Sequence, residues 1–158
     1  MTKSRLWGVF VLLAGLCATP LGVLPANAGS LDGSGGATYL ITIKDATGAF
    51  SSRGAIALHG DRTMSVIDSG QGGPFFFTSQ LGAWGYDHKG GVVGRTVDFD
   101  FPPNADVARL DYTFAFGSDG AEVTGTITPT IFPLQGDPLD GGGTALGKFT
   151  FTGELVKP

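Results

Sequence analysis

The sequence predicts an all-β fold, an eight-stranded antiparallel up-and-down barrel. Between residues 93 and 116, apolar or aromatic residues occupy every second position in two successive segments. Because successive strand side chains point to opposite faces, each segment should have one buried and one solvated face. The 27 glycines of the chain are spread between apolar runs, which is typical of a protein with many tight turns. No segment has a helical period longer than one turn.

Residues 1–28 are predicted to be a secretory signal peptide. Lys3 and Arg5 precede an apolar core at 6–18 that is short for a membrane span. Ala26-Asn27-Ala28 then has the small-residue pattern of a cleavage site. The mature protein is therefore expected to be secreted or periplasmic.

The remainder of the chain has the size of one domain. Residues 29–37 are predicted to be a flexible leader and residues 38–158 a single barrel domain. The one cysteine of the chain, Cys17, lies in the signal peptide, so no disulfide is expected. The net charge is −4 and there is no cluster of Lys and Arg, so nucleic-acid binding is not expected.

The first three strands follow from alternation and from one turn. In 38–44 the apolar side chains of Tyr39, Ile41 and Ile43 share one face. Residues 54–60 and 63–68 flank Gly60-Asp61-Arg62 and should form a hairpin.

The central strands are the aromatic-rich ones. Residues 75–86 form an apolar stretch, and 92–101 alternates with Val93, Val97 and Phe99 on the apolar positions. In the next predicted strand, 107–117, four residues share the buried face: Leu110, Tyr112, Phe114 and Phe116.

Two strands complete the barrel. Asp119-Gly120 is a hairpin signal leading into strand 121–132, where Pro129 indicates an edge or a bulge. A loop at 133–147 precedes the last strand, 148–156. Pairing of that strand with the first would close the barrel and remove both edges. A transmembrane barrel is the alternative, but the strands within 54–68 are only weakly apolar, so stable membrane insertion is not expected.

A small barrel can be filled by its own side chains or can hold one small ligand, and the sequence leaves both open. The predicted inward aromatic residues are Tyr39, Trp84, Phe99, Tyr112, Phe114, Phe149 and Phe151. Of these, Trp84, Phe99, Tyr112 and Phe114 are the predicted wall of a ligand pocket.

Arg95 is the candidate contact for a ligand headgroup. It occupies the apolar face of its predicted strand, and a cation facing inward needs a carboxylate or an anionic ligand. The alternative is that Arg95, near the strand start, extends to solvent at the rim.

Other polar residues point to turns rather than to chemistry. His59 and His88 fall at turns and lack metal-ligand spacing. Asp137 and Asp140 lack the acidic spacing of a calcium loop. We expect no metal and no cofactor, and no catalytic residue can be assigned because no nucleophile or phosphate-binding motif is present.

Several short motifs suggest a family. Gly82-Ala83-Trp84 is a G-x-W element, and it accompanies the turn 60–63, Pro74-Phe75 and the strand segment 94–99. Together these resemble small secreted lipocalin-like (calycin) proteins, many of which have no assigned activity. The number of strands is also similar to that of allene-oxide-cyclase-like barrels, some of which are cyclases or isomerases.

Three functions are therefore expected, in this order. The first is an exported soluble barrel that binds a small apolar or amphipathic molecule in its interior. The second, which the allene-oxide-cyclase-like resemblance implies, is a cavity-based isomerase or cyclase. The third is a structural or interaction barrel with a filled core.

Overall fold

The protein is a closed eight-stranded antiparallel β-barrel to which one further short strand is paired. This architecture comes from a computed structural model, which describes residues 35–72 and 76–158. The predicted signal peptide lies outside the described residues, as does the leader up to residue 34. In the described part the strands are β1 (Ala37–Lys44), β2 (Phe50–Leu58), β3 (Thr63–Asp68), β4 (Gln80–Tyr86), β5 (Val92–Phe99), β6 (Asp106–Phe116), β7 (Glu122–Pro133), β8 (Thr144–Ala145) and β9 (Phe149–Leu155).

The barrel strands follow one another around the ring, as an up-and-down topology requires. Each of β1 to β6 pairs with the strand that follows it, β7 pairs with β9, and β9 pairs back onto β1. The predicted closure of the last strand on the first is confirmed. The closed ring leaves no free edge along this circuit, which removes a site of edge-to-edge association.

Several predicted boundaries differ from the structure. The second strand, expected at 54–60, is β2 at Phe50–Leu58. The strand expected at 75–86 begins only at Gln80, because Phe77 and Thr78 instead run beside the end of β5. The loop expected at 133–147 contains β8, which pairs with Thr130 and Ile131 of β7. In the described residues the helical content is a short 3-10 helix at Ser69–Gly72.

The pairing of β7 changes along its length, and Pro129 marks the change. β9 pairs with Glu122–Ile127, whereas the later part of β7 pairs with β8. Proline has no N–H to donate to a ladder, so it suits the position at which β7 leaves its barrel neighbour. Pro129, predicted to mark an edge or a bulge, lies between the part of β7 that pairs with β9 and the part that pairs with β8.

The core lies inside the ring and is built mainly by alternating apolar side chains. The predicted buried face of β6 is confirmed, as is that of β1. Most of the large buried side chains belong to one cluster, which includes Tyr39, Ile41, Ile56, Leu58, Met64, Val66, Trp84, Tyr112, Phe114, Phe116, Val123, Ile127 and Phe151.

The predicted orientation of β5 is wrong. Thr96 and Asp98 face the interior, while Arg95 and Phe99 face outward and are about half exposed, at 50% for the Arg95 side chain and 51% for Phe99. A shift of one residue moves every side chain of a strand to the other face, so all the inward and outward residues of β5 are exchanged relative to the prediction.

Two contacts explain this orientation of β5. On the outer face, Arg95 lies opposite Asp111 of β6, and its Nε donates to Asp111 Oδ1 at 2.6 Å. On the inner face, a side chain at Gly94 would place its Cβ 2.7 Å from Met64 Sδ and 3.2 Å from the Phe114 ring. Met64 and Phe114 therefore fill the space beside Gly94, and only a residue without a side chain fits at this inward position of β5.

In the two described segments, no helix has the length and apolar character needed to cross a membrane.

Candidate functional site

One end of the barrel, here called the closed end, is filled by aromatic side chains. Trp84 is buried there, and its indole Nε1 donates to the His59 carbonyl at 2.9 Å. The Arg62 guanidinium lies 5.8 Å from the centre of the Trp84 ring and 5.3 Å from that of Tyr86. At this distance a cation is attracted to the ring face, so Arg62 helps to cover this end.

The aromatic packing continues toward the middle of the barrel. Phe114 stacks on Tyr112 at 5.9 Å and on Phe116 at 6.1 Å between ring centres. Phe151 meets Phe114 edge-on at 5.7 Å. Tyr39 packs against Phe116, and its hydroxyl donates to the Gly120 carbonyl at 3.0 Å. This half of the barrel has little room for a ligand.

The opposite end, here called the open end, contains a cavity of about 430 Å³. Its apolar wall comes from strand residues and from two loops, and includes Ile43, Phe77, Ala108, Leu110, Ile127, Ile131, Leu146 and Phe149. Its polar groups include Gln80, Asp68, Asp98 and Asp100. Cavities of about 300–1,000 Å³ with apolar walls and few polar groups are the usual form of small-molecule sites.

A layer of hydrogen-bonded side chains separates the cavity from the aromatic half. Gln80 Oε1 accepts from the Thr96 hydroxyl at 3.1 Å and also from the Tyr112 hydroxyl. All three side chains are buried. Burial raises the pKa of Tyr112 well above its usual range, so its phenol keeps the proton that it donates. We call these three residues the polar layer.

Asp98 is the least satisfied polar group of the cavity. Its residue is 3% exposed, and no described group donates a hydrogen bond to its Oδ1. Burial raises the pKa of its carboxyl to about 7, and the carboxylates of Asp100 and Asp68 add to the rise. A buried carboxyl without a donor is costly, so such a group marks a place where a ligand can contribute.

The two neighbouring carboxyl groups differ from Asp98. Asp68 accepts from the Ser52 hydroxyl at 3.1 Å and from the Gly70 N–H at 2.7 Å. Asp100 is less deeply buried, and burial together with Asp106 raises its pKa. Three carboxyl groups thus face one apolar space, and only part of their hydrogen-bonding capacity is used by the protein.

Two loops shape the mouth of the cavity. The connection before β4 is bound to β5 by the Thr78 N–H, which donates to the Phe99 carbonyl at 3.0 Å, and it places Phe77 in the wall. The loop after β7 is held by Arg109, whose Nη1 donates to the carbonyls of Pro138 and Asp140 at 2.9 and 3.1 Å.

The predicted site residues are not those that line the cavity. Trp84, Tyr112 and Phe114 point inward as predicted, but they pack in the aromatic half. Phe99 and Arg95 lie on the outer surface, so the predicted interior positions of both are wrong. Tyr112 approaches the cavity indirectly, through its hydrogen bond to Gln80.

Asp98 and Gln80 are interior groups that the sequence pattern does not identify. The alternation of β5 predicts Asp98 on the solvated face, because Val97 and Phe99 beside it are apolar. The available signal was the charge pattern of the β5–β6 hairpin, in which Arg95 lies opposite Asp111. Opposite charges on facing strands favour pairing on one face, and that pairing puts Asp98 on the other.

The polar residues of the turns have structural roles. His59 Nε2 lies 3.2 Å from the Ser65 hydroxyl, and Asp137 Oδ1 accepts from the Leu139 N–H at 2.8 Å. No group of three or more His, Cys, Asp or Glu residues in 35–72 and 76–158 is placed to hold a metal ion.

Comparison with protein-family models, with curated proteins and with solved structures yields no match to this chain. The geometry of the cavity is therefore the basis for a functional proposal.

Proposed function

We propose that this protein binds a small apolar or amphipathic molecule in the cavity at the open end of its barrel. The observation that carries the proposal is the apolar space of about 430 Å³ into which a few buried polar groups point. Barrels of eight strands can hold one small ligand, as lipocalins do, and the lipocalin-like resemblance of the sequence agrees with this use.

The division of the barrel supports binding over a purely structural role. A rigid aromatic half can hold the cavity walls in place, so little ordering is required when a ligand enters. A barrel with a completely filled core would lack the open space beside Leu110 and Ile127. The predicted signal peptide lies outside the described residues, and we infer from its sequence that the ligand is met outside the cytoplasm.

The test is to fill the cavity. Ala108 is buried at the cavity wall, so Ala108→Phe should occupy the space and abolish binding. Ala115 lies on the outer face of the same strand, so Ala115→Phe is the matched control. Thermal unfolding is followed with alcohols and hydrocarbons of increasing size, because a ligand that binds the folded state raises the melting temperature.

The original protein and Ala115→Phe should gain stability with the same compounds, whereas Ala108→Phe should not. A flat response of the original protein across the series would refute ligand binding.

A second function, a cavity-based isomerase or cyclase, is favoured by one observation. A carboxyl with a pKa near 7 inside an apolar cavity can act as a general acid or base, and Asp98 has this character. Compounds that stabilise the protein are recovered by chromatography after long incubation. A product that appears with the original protein and not with Asp98→Asn would support the enzyme; unchanged compounds would favour binding alone.

A further inference from the structure

We propose that the cavity selects organic amines, with an ammonium group at the Asp98 carboxyl and an alkyl or aryl body against the apolar walls. This inference rests on the proposed function, because it names the ligand class of the same cavity. It reverses the polarity expected from the sequence, in which Arg95 would have held an acid headgroup.

The charges that face the cavity have one sign. Asp68, Asp98 and Asp100 line it, and none of the described lining residues is Lys, Arg or His. Charges interact more strongly in a space walled by apolar groups than in water. A carboxylate ligand would therefore be repelled by this end of the barrel, and a cation would be attracted.

Asp98 is the group that a ligand can satisfy. Asp68 already accepts hydrogen bonds from Ser52 and Gly70, whereas no described group donates to Asp98 Oδ1. Asp98 is also the most deeply buried of the three carboxyl groups. An N⁺–H donor from a ligand at the Asp98 carboxyl would supply the counter-charge that this buried group lacks, which makes a charge-assisted bond.

An organic cation fits this site better than a metal ion does. In the described residues no set of three or more acidic, His or Cys side chains is placed as a metal site. The rest of the wall is aliphatic and aromatic, including Ile43, Leu110 and Ile127. Such a wall gains free energy by covering an apolar body, at about 25 cal/mol per Å² removed from water.

The ionisation of Asp98 should make the selection depend on pH. The titratable groups that face it are Asp68 from β3, Asp100 from the segment just after β5 and Tyr112 from β6, while Gln80 from β4 is neutral. The Tyr112 phenol stays protonated, and the two other carboxyl groups favour the neutral form of Asp98. Amine binding should therefore strengthen as the pH rises through 7 and Asp98 ionises.

The experiment compares three ligands that share one chain and differ in the headgroup. Octylamine, octan-1-ol and octanoate are titrated into the purified protein by calorimetry at about pH 8. Octylamine should bind at least about tenfold more tightly than octanoate, with octanol between them. Octylamine affinity should fall at about pH 5.5, where Asp98 is protonated, while octanol affinity should stay constant.

Two variants assign the selection to Asp98. Asp98→Asn should lower octylamine affinity by about tenfold and leave octanol binding unchanged. Glu154→Gln removes one carboxylate from the exposed side of β9 and should leave octylamine binding unchanged.

The outcomes separate this inference from the proposed function. Octanoate or octanol binding as tightly as octylamine would overturn the selection of amines while leaving ligand binding intact. Equal losses in Asp98→Asn and Glu154→Gln would overturn the role of Asp98 in favour of a general attraction to an acidic protein. If none of the three compounds binds, both proposals are refuted. The pH comparison on the original protein applies even if Asp98→Asn does not fold.

Discussion

The two ends of the barrel are walled by the same eight strands, yet one is solid and the other is hollow. At the closed end, Trp84, Phe114 and Phe116 pack with Phe151 and leave little space. At the open end the same strands surround a cavity with three carboxyl groups on its wall. The barrel strands are common to both ends, so the difference arises from the size of their inward side chains and from the loops and β8, which belong to the open end only.

The inward side chains of β6 show how the closed and open ends come to differ. Its inward residues decrease in size along the barrel, from Phe116, Phe114 and Tyr112 to Leu110 and Ala108. Aromatic residues bury large areas and fill the axis of a narrow barrel, whereas an alanine at the same kind of position leaves space. A gradient of side-chain size along one strand therefore contributes to a ligand site at one end of the barrel.

The strongest test of the contrast removes one phenylalanine from each end. Phe114→Ala should destabilise the protein by about 3–5 kcal/mol, since Phe114 contacts three other aromatic rings in a close-packed region. Phe149 is only partly buried at the cavity wall, so Phe149→Ala should cost less than about half as much. Urea unfolding of both variants gives the comparison, and equal losses would contradict the division into a solid and a hollow end.

A second test uses pH to examine the hollow end. The folded state holds the Asp98 proton up to a pH of about 7, whereas the unfolded chain releases it near the ordinary aspartate pKa of 3.8. Between these pH values the folded state binds more protons, so the stability of the original protein should fall as the pH rises and level off above 7. Asp98→Asn should lack most of this fall.

The size of the pH effect follows from the pKa difference. At pH values above 7, Asp98→Asn should gain stability relative to the original protein by up to about 4 kcal/mol, since one pKa unit is worth about 1.4 kcal/mol. At about pH 4 the two proteins should be nearly equal, because the original carboxyl is then neutral as well. The measurement is the free energy of unfolding by denaturant across this pH range. If it changes with pH in the same way in both proteins, the pKa of Asp98 is not raised in the folded state.

The smallest expected effect belongs to the outer face. Arg95→Ala removes the ion pair with Asp111, whose partners are partly exposed, and should cost less than about 1 kcal/mol. The same variant should leave binding in the cavity unchanged, because Arg95 faces away from it. Calorimetry with octylamine checks this. A clear loss of octylamine affinity in Arg95→Ala would show that Arg95 takes part in binding and would contradict the contrast between the inner and outer faces.

The sequence predicted the barrel because its signals were local. Alternation in 107–117 and the Asp119-Gly120 turn depend on neighbouring residues, and both were confirmed. Closure was also predicted correctly, since a last strand with one apolar face needs a partner and the first strand has the matching pattern. Pro129 was recognised as an edge signal for the same reason, because a missing N–H is a property of the residue itself.

The orientation of β5 could not be read from its own residues. Its two faces carry Val93, Val97 and Phe99 on one side and Val92, Thr96 and Asp98 on the other, and the more apolar side is the one that the structure exposes. For this reason the predicted inward positions of Arg95, the candidate headgroup contact, and of Phe99, a predicted wall residue, were wrong. The decision depends on Asp111 and on the bulk of Met64 and Phe114, all of which lie on other strands.

By itself, then, the amino-acid sequence determined the number of barrel strands, their order and most of their faces, because periodicity and turn residues act over short distances. Tertiary structure alone decided which end stays hollow and which carboxyl group enters it. A cavity is the space that side chains from several strands fail to fill, and no single segment contains that information.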